Sequence, residues 1–131
     1  MSSTEQPPER GQMSLAISNA VVKLVSEYTG RGPTRARSYV NDELVTVVLR
    51  DTLTKGERSL VRDGKGELVL RVRLAFQQTM RDELIAGIEQ ITGRSVQAFL
   101  SANHMDPDIA IETFVLDGAA VADDSMPAAQ E

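Results

Sequence analysis

A chain of 131 residues that is 41% hydrophobic is the size of one domain and can bury a core without covalent staples. It has no cysteine, which excludes disulfides, thiolate metal sites and a cysteine nucleophile, and suits a reducing, cytoplasmic setting. The formal charge of -5 is uneven: residues 31–73 hold ten of the fourteen Lys and Arg against six of the nineteen acids, so this middle is +4 and the remainder -9.

Residues 1–11 are polar, contain Pro7 and Pro8, and lack the basic-then-apolar order of a secretory leader. They are expected to form a disordered tail, as is the small and acidic segment 118–131. A single folded domain is expected over residues 12–117. Every apolar run is cut by charge within a few positions, so direct membrane insertion is not expected.

From Met13 to Tyr28 the apolar residues Met13, Ile17, Val21, Leu24, Val25 and Tyr28 recur at three- and four-residue steps, which predicts an amphipathic helix. Gly30 stands where a helix-terminating residue would. The stretches ARSYVN and ELVTVVLR then predict two strands joined through Asn41-Asp42. The second carries apolar residues on both faces, which places it inside a sheet. Thr54 and Glu57 have the spacing of a capping box and start a short helix that runs to about Asp63. Gly64 and Gly66 break it. A long helix follows over about Glu67–Ile91, with Leu70, Leu74, Met80, Leu84, Ile88 and Ile91 near one stripe. At roughly 37 Å it is longer than a four-stranded sheet needs, so its N-terminal part is expected to protrude and pack on another chain. SVQAFLS and IAIETFVL predict two further strands, the first alternating through Val96, Ala98 and Leu100, the second through Ile109, Ile111, Thr113 and Val115.

Thr-Gly-Arg occurs twice, at 29–31 and 92–94. A shift of 63 residues places Met13 on Phe76, Ile17 on Met80, Val21 on Leu84, Val25 on Ile88 and Tyr28 on Ile91 ahead of it. The reading is a duplicated αββ unit, with Thr-Gly-Arg as the same helix stop used twice. The fold class follows: α+β, a four-stranded, mainly antiparallel sheet with helices packed on one face.

Two groups of residues have the chemistry of a site. Arg31, Thr34, Arg35 and Arg37 offer guanidinium forks and a hydroxyl to a carboxylate or phosphate, although arginines beyond a helix C-terminus also serve a purely structural end. His104, Asp106 and Asp108, with Asn103, are residue types that bind a divalent metal, but Asp-Pro-Asp is also common turn chemistry and the spaced ligand set of zinc motifs is missing. Asp82 and Glu83 read as a solvated helix face. Five aromatics in an acidic chain do not favour nucleic acid.

Gly30-Arg31-Gly32-Pro33, Leu53-Thr54 with Glu57, the Phe76, Gln77, Met80 set, and Pro107-Asp108 ahead of Phe114-Val115-Leu116 resemble the MpsC family, also called YbcI-like and formerly a domain of unknown function. The likeness runs over about residues 13–117. The resemblance implies a small bacterial protein tied to a sodium-translocating, membrane-potential-generating system, and it supplies no catalytic residue. The function expected is therefore a non-enzymatic accessory or regulatory module without a cofactor. It is expected to act as a homodimer through the long helix or a sheet edge, with a membrane transporter subunit as a peripheral partner. The alternative is a small-anion or nucleotide sensor built on residues 31–37.

Overall fold

The computed structural model describes residues 9–118; most of the two expected tails, residues 1–8 and 119–131, lies outside them. Along the chain come α1 (Glu9–Thr29), β1 (Arg35–Asn41), β2 (Leu44–Arg50), α2 (Lys55–Arg62), α3 (Gly66–Thr92), β3 (Val96–His104) and β4 (Ile109–Leu116). Residues 9–11 belong to α1 rather than to a tail, since no proline interrupts the stretch after Pro8. The strands form one antiparallel sheet in the order β1-β2-β4-β3. The class is α+β, and β2 lies inside the sheet as its two apolar faces predict.

Both Thr-Gly-Arg segments stop a helix in the same way. Gly30 and Gly93 take left-handed φ values of 81° and 73°, and their amides donate to Ser26 O and Glu89 O. The threonines bond back to carbonyls four residues earlier, Thr29 Oγ1 to Val25 O at 2.7 Å and Thr92 Oγ1 to Ile88 O at 2.8 Å. Each arginine then crosses to the residue just past a strand. Arg31 Nε donates to Asp51 O beyond β2, and Arg94 Nη2 donates to Asp117 O beyond β4.

The core joins Ile17, Val21 and Val25 of α1 and Met80, Leu84 and Ile88 of α3 to alternate residues of the central strands, Val45, Val47 and Leu49 of β2 and Ala110, Phe114 and Leu116 of β4. Phe99 of β3 stacks obliquely on Phe114, ring centroids 5.1 Å apart. Thus the buried phase of β4 is opposite to the one its aliphatic alternation suggests: Ile111 is exposed, and Glu112 faces inward. In β3 a register shift between Val96 and Ala98 turns Phe99 in and leaves Leu100 out. The first half of α3 departs from its apparent stripe as well. Leu70 and Leu74 are exposed, and the inward positions are Val69, Arg73 and Gln77. Polar partners in the interior, described next, favour that choice. Among the described residues no helix is long and apolar enough to cross a membrane.

Candidate functional site

The segments between α1 and β1, after β2, at the start of α2 and before β4 meet in one corner. Asp51, the residue after β2, adopts φ 64°, a left-handed conformation that Asp tolerates better than most side chains. That turn sends its carboxylate to Arg31 (Nη2 to Oδ2, 2.8 Å) and Arg58 (Nη2 to Oδ1, 3.1 Å). Burial works upward on the Asp51 carboxyl, but Arg31, the Thr34 hydroxyl and Arg58 outweigh it and hold it below the usual carboxylate range.

Asp108 closes the corner from the other side. Its carboxylate accepts from Thr52 Oγ1 at 3.0 Å and Leu53 N at 2.9 Å, while its carbonyl accepts from Asp51 N at 3.1 Å. One residue therefore pins the β2–α2 connection to the start of β4. The capping box forms as its spacing predicts, Glu57 N donating to Thr54 Oγ1 and Thr54 N to Glu57 Oε1. Glu57 does more than cap: it is buried and takes a forked contact from Arg73, Nε to Oε2 at 3.1 Å and Nη2 to Oε1 at 2.6 Å. Arg73 Nη2 also donates to Thr52 O at 2.5 Å. Within the corner Arg31 and Arg58 thus share Asp51 and Arg73 pairs with Glu57, while the Asp108 carboxylate is taken up by Thr52 and Leu53.

Beneath it lies Glu112, 2% exposed, with Oε1 lacking a hydrogen-bond partner. Burial pushes its carboxyl up to about 7, against smaller downward effects of Ser101, Arg73 and Gln77. Ser101 is its register partner on β3, and Ser101 Oγ likewise has no bond of good geometry. Thr52, Arg73, Gln77 and Glu112 border a small gap with about 10 Å³ of free space, on the scale of one water-sized sphere. Apart from Thr29 its other walls are apolar, among them Val25, Phe76 and Met80.

The arginines read as one anion site separate. Arg31 belongs to the corner, whereas Thr34, Arg35 and Arg37 border an open groove with Tyr39, Val48 and Arg50. Arg50 is the register partner of Arg35, and the Arg37 guanidinium stands 5.8 Å from the centroid of the Tyr39 ring. Among the described residues, Arg35, Arg37 and Arg50 form no salt bridge. Of the residues read as metal ligands, His104 Nδ1 donates to Pro107 O at 2.8 Å and Asp108 is committed to Thr52 and Leu53, while Asp106 borders a surface pocket beside Asp108. No group of three or more His, Asp or Glu is placed to hold a metal among the described residues.

Sequence reasoning missed Arg50, Asp51, Arg73 and Glu112. A signal for Glu112 exists, since period-two alternation back from Leu116 and Phe114 puts a carboxylate on the core face. Arg73 has one too, four residues from both Val69 and Gln77 on the inward side of α3.

Among curated proteins and solved structures, none matches the chain. The family model described as Na+-translocating membrane potential-generating system (MpsC) matches residues 9–118. That span holds all seven elements and the whole corner, including Gly30-Arg31, Thr54, Glu57 and Asp108, so the chain belongs to the MpsC family.

Proposed function

We propose that the chain is a non-enzymatic accessory or regulatory module that works in the cytoplasm as a homodimer, the peripheral partner of a membrane transporter subunit in a sodium-translocating, membrane-potential-generating system. The observation that carries this reading is the first half of α3. Leu68, Leu70, Val72 and Leu74 are 39–52% exposed while Val69 is buried, so apolar side chains leave the helix outward as well as inward there, with only Glu67 and Arg71 as charged residues among the exposed positions. Four large apolar side chains exposed within seven residues form a patch of the kind that marks an interaction surface. At 27 residues α3 is about 40 Å long, and these turns lie beyond Thr29, the end of α1, which meets α3 near Arg73 and Phe76. A second copy of α3 is the cover we assign.

The corner supports a structural rather than a chemical use of the charged motif residues, because each finds its counter-charge or hydrogen-bond partner within the chain. The αββ duplication belongs to the same reading: Thr46 and Thr113 face each other across the central strands, hydroxyls 3.4 Å apart, as a local two-fold axis between equivalent halves requires. So does a sheet with its helices on one face and the other face open. Light scattering tests the dimer. The expected mass is twice 14.3 kDa at high micromolar concentration, returning to the single value in a Leu70→Glu, Leu74→Glu variant. A wild-type mass of 14.3 kDa ends the dimer proposal.

A second reading, a small-anion or nucleotide sensor, is favoured by the groove of Thr34, Arg35, Arg37 and Arg50, in which the cations lack carboxylate partners. Arg31, spent on Asp51, has no part in it.

A further inference from the structure

The open side of the sheet has an ordered chemistry. Register places Arg35, Arg50, Ile109 and His104 in one row across the four strands, and Arg37, Val48, Ile111 and Ala102 in the next. Tyr39 and Leu100 flank the third row, and Leu44 stands in the fourth. Tyr39 is 52% exposed, Leu44 41%, Leu100 57% and Ile111 38%. None of the strand side chains on this side is a carboxylate, although the chain as a whole carries -5. Cations therefore gather at one end of the face, and the rest carries aliphatic and aromatic groups with the uncharged Thr46, Thr113 and Asn41 among them.

We propose that this face docks on an anionic phospholipid surface, with Arg35, Arg37 and Arg50 taking lipid phosphates and carboxylates while Tyr39, Leu100 and Ile111 rest at the headgroup boundary. Charge complementarity argues for it: guanidinium forks suit phosphate, and each cation close to an acidic leaflet adds attraction. A second copy fits poorly, because face-to-face packing brings arginines together with no carboxylate on the face to receive them. A bilayer needs no shape-matched partner surface, since aromatic and aliphatic tips beside cations suffice for reversible attachment. The proposal shares its arginines with the anion-sensor reading and does not depend on the α3 dimer.

The test is co-flotation of the full chain with vesicles of phosphatidylcholine alone and of phosphatidylcholine mixed equally with phosphatidylserine, at low and high salt. The expected result is flotation with the mixed vesicles only, lost at high salt. Binding should weaken on the order of tenfold in Arg37→Glu and measurably in Leu100→Asp, with urea midpoints confirming that both variants fold. Absence of flotation with the mixed vesicles at low salt overturns the proposal, as does equal binding by wild type and Arg37→Glu. If vesicles fail while pyrophosphate or ATP raises the melting temperature in an Arg37-dependent way, the anion sensor replaces it. If vesicles fail and poly-glutamate binds, the face takes an acidic protein segment instead.

Discussion

The corner around Asp51 and the open face of the sheet use the same residue types for opposite ends. In the corner Arg31, Arg58 and Arg73 each meet a carboxylate within 3.1 Å, and Glu57 and Arg73 do so almost out of contact with water. On the face Arg35, Arg37 and Arg50 meet none among the described residues. Arg31 and Arg58, 31% and 40% exposed, are spent on Asp51 at the corner's rim. A charge removed from water must be compensated where it lies, so Arg73 is committed to the fold. A solvated charge is not, and an uncompensated row beside exposed aliphatic groups is free to act on something outside the chain. The comparison assigns architecture to the corner and leaves the face as the place where the proposed docking would act, even though the corner holds the residues that look most like a motif.

The sharpest break is Arg73→Leu. It leaves Glu57 buried without its counter-charge and should cost about 3–5 kcal/mol in urea unfolding. Joining it to Glu57→Gln should recover much of that loss, and a single variant as stable as wild type would remove the corner from the account. Next in size is Glu112→Gln. The ordinary carboxyl value is 4.5 and the folded one about 7, so below the first both states are protonated and nothing is lost. Between the two the unfolded chain ionises first, and native stability falls as pH rises; above the second the full penalty remains. Glutamine stays neutral throughout, so the variant should be more stable by about 3 kcal/mol at roughly pH 8 and no different at roughly pH 4. Parallel pH profiles for the two proteins would mean that Glu112 is stabilised as a carboxylate by groups the geometry does not show. The smallest effect belongs to the face: Arg37→Ala should change stability by no more than about 0.5 kcal/mol, and a larger loss would make the face part of the architecture too.

The segments written most clearly in local sequence were the ones read correctly. Thr54 and Glu57 cap α2 because the box needs only four consecutive residues, and Gly30 and Gly93 end their helices because a left-handed backbone favours a residue without Cβ. The site was far less legible. Asp108 lies more than fifty residues from Thr52 and Leu53 and meets them only through the pairing of β2 with β4. Arg31 and Arg35, close in sequence, end in different places because the chain enters β1 between them and alternation then fixes which side each strand residue takes.

By itself the sequence determined the order and kind of the seven elements, the two helix stops, the capped α2 and the central position of β2, since each rests on a period or spacing inside one element. Only the tertiary structure decided which phase of β4 turns inward, because Ile109 and Ile111 on one side and Phe114 and Leu116 on the other make both phases apolar. It likewise decided that Arg73 and Gln77 rather than Leu70 and Leu74 face the interior. The physical reason is the same for both: burying an Arg or a Glu is tolerable only where distant parts of the chain supply its partners, and a local pattern carries no record of them.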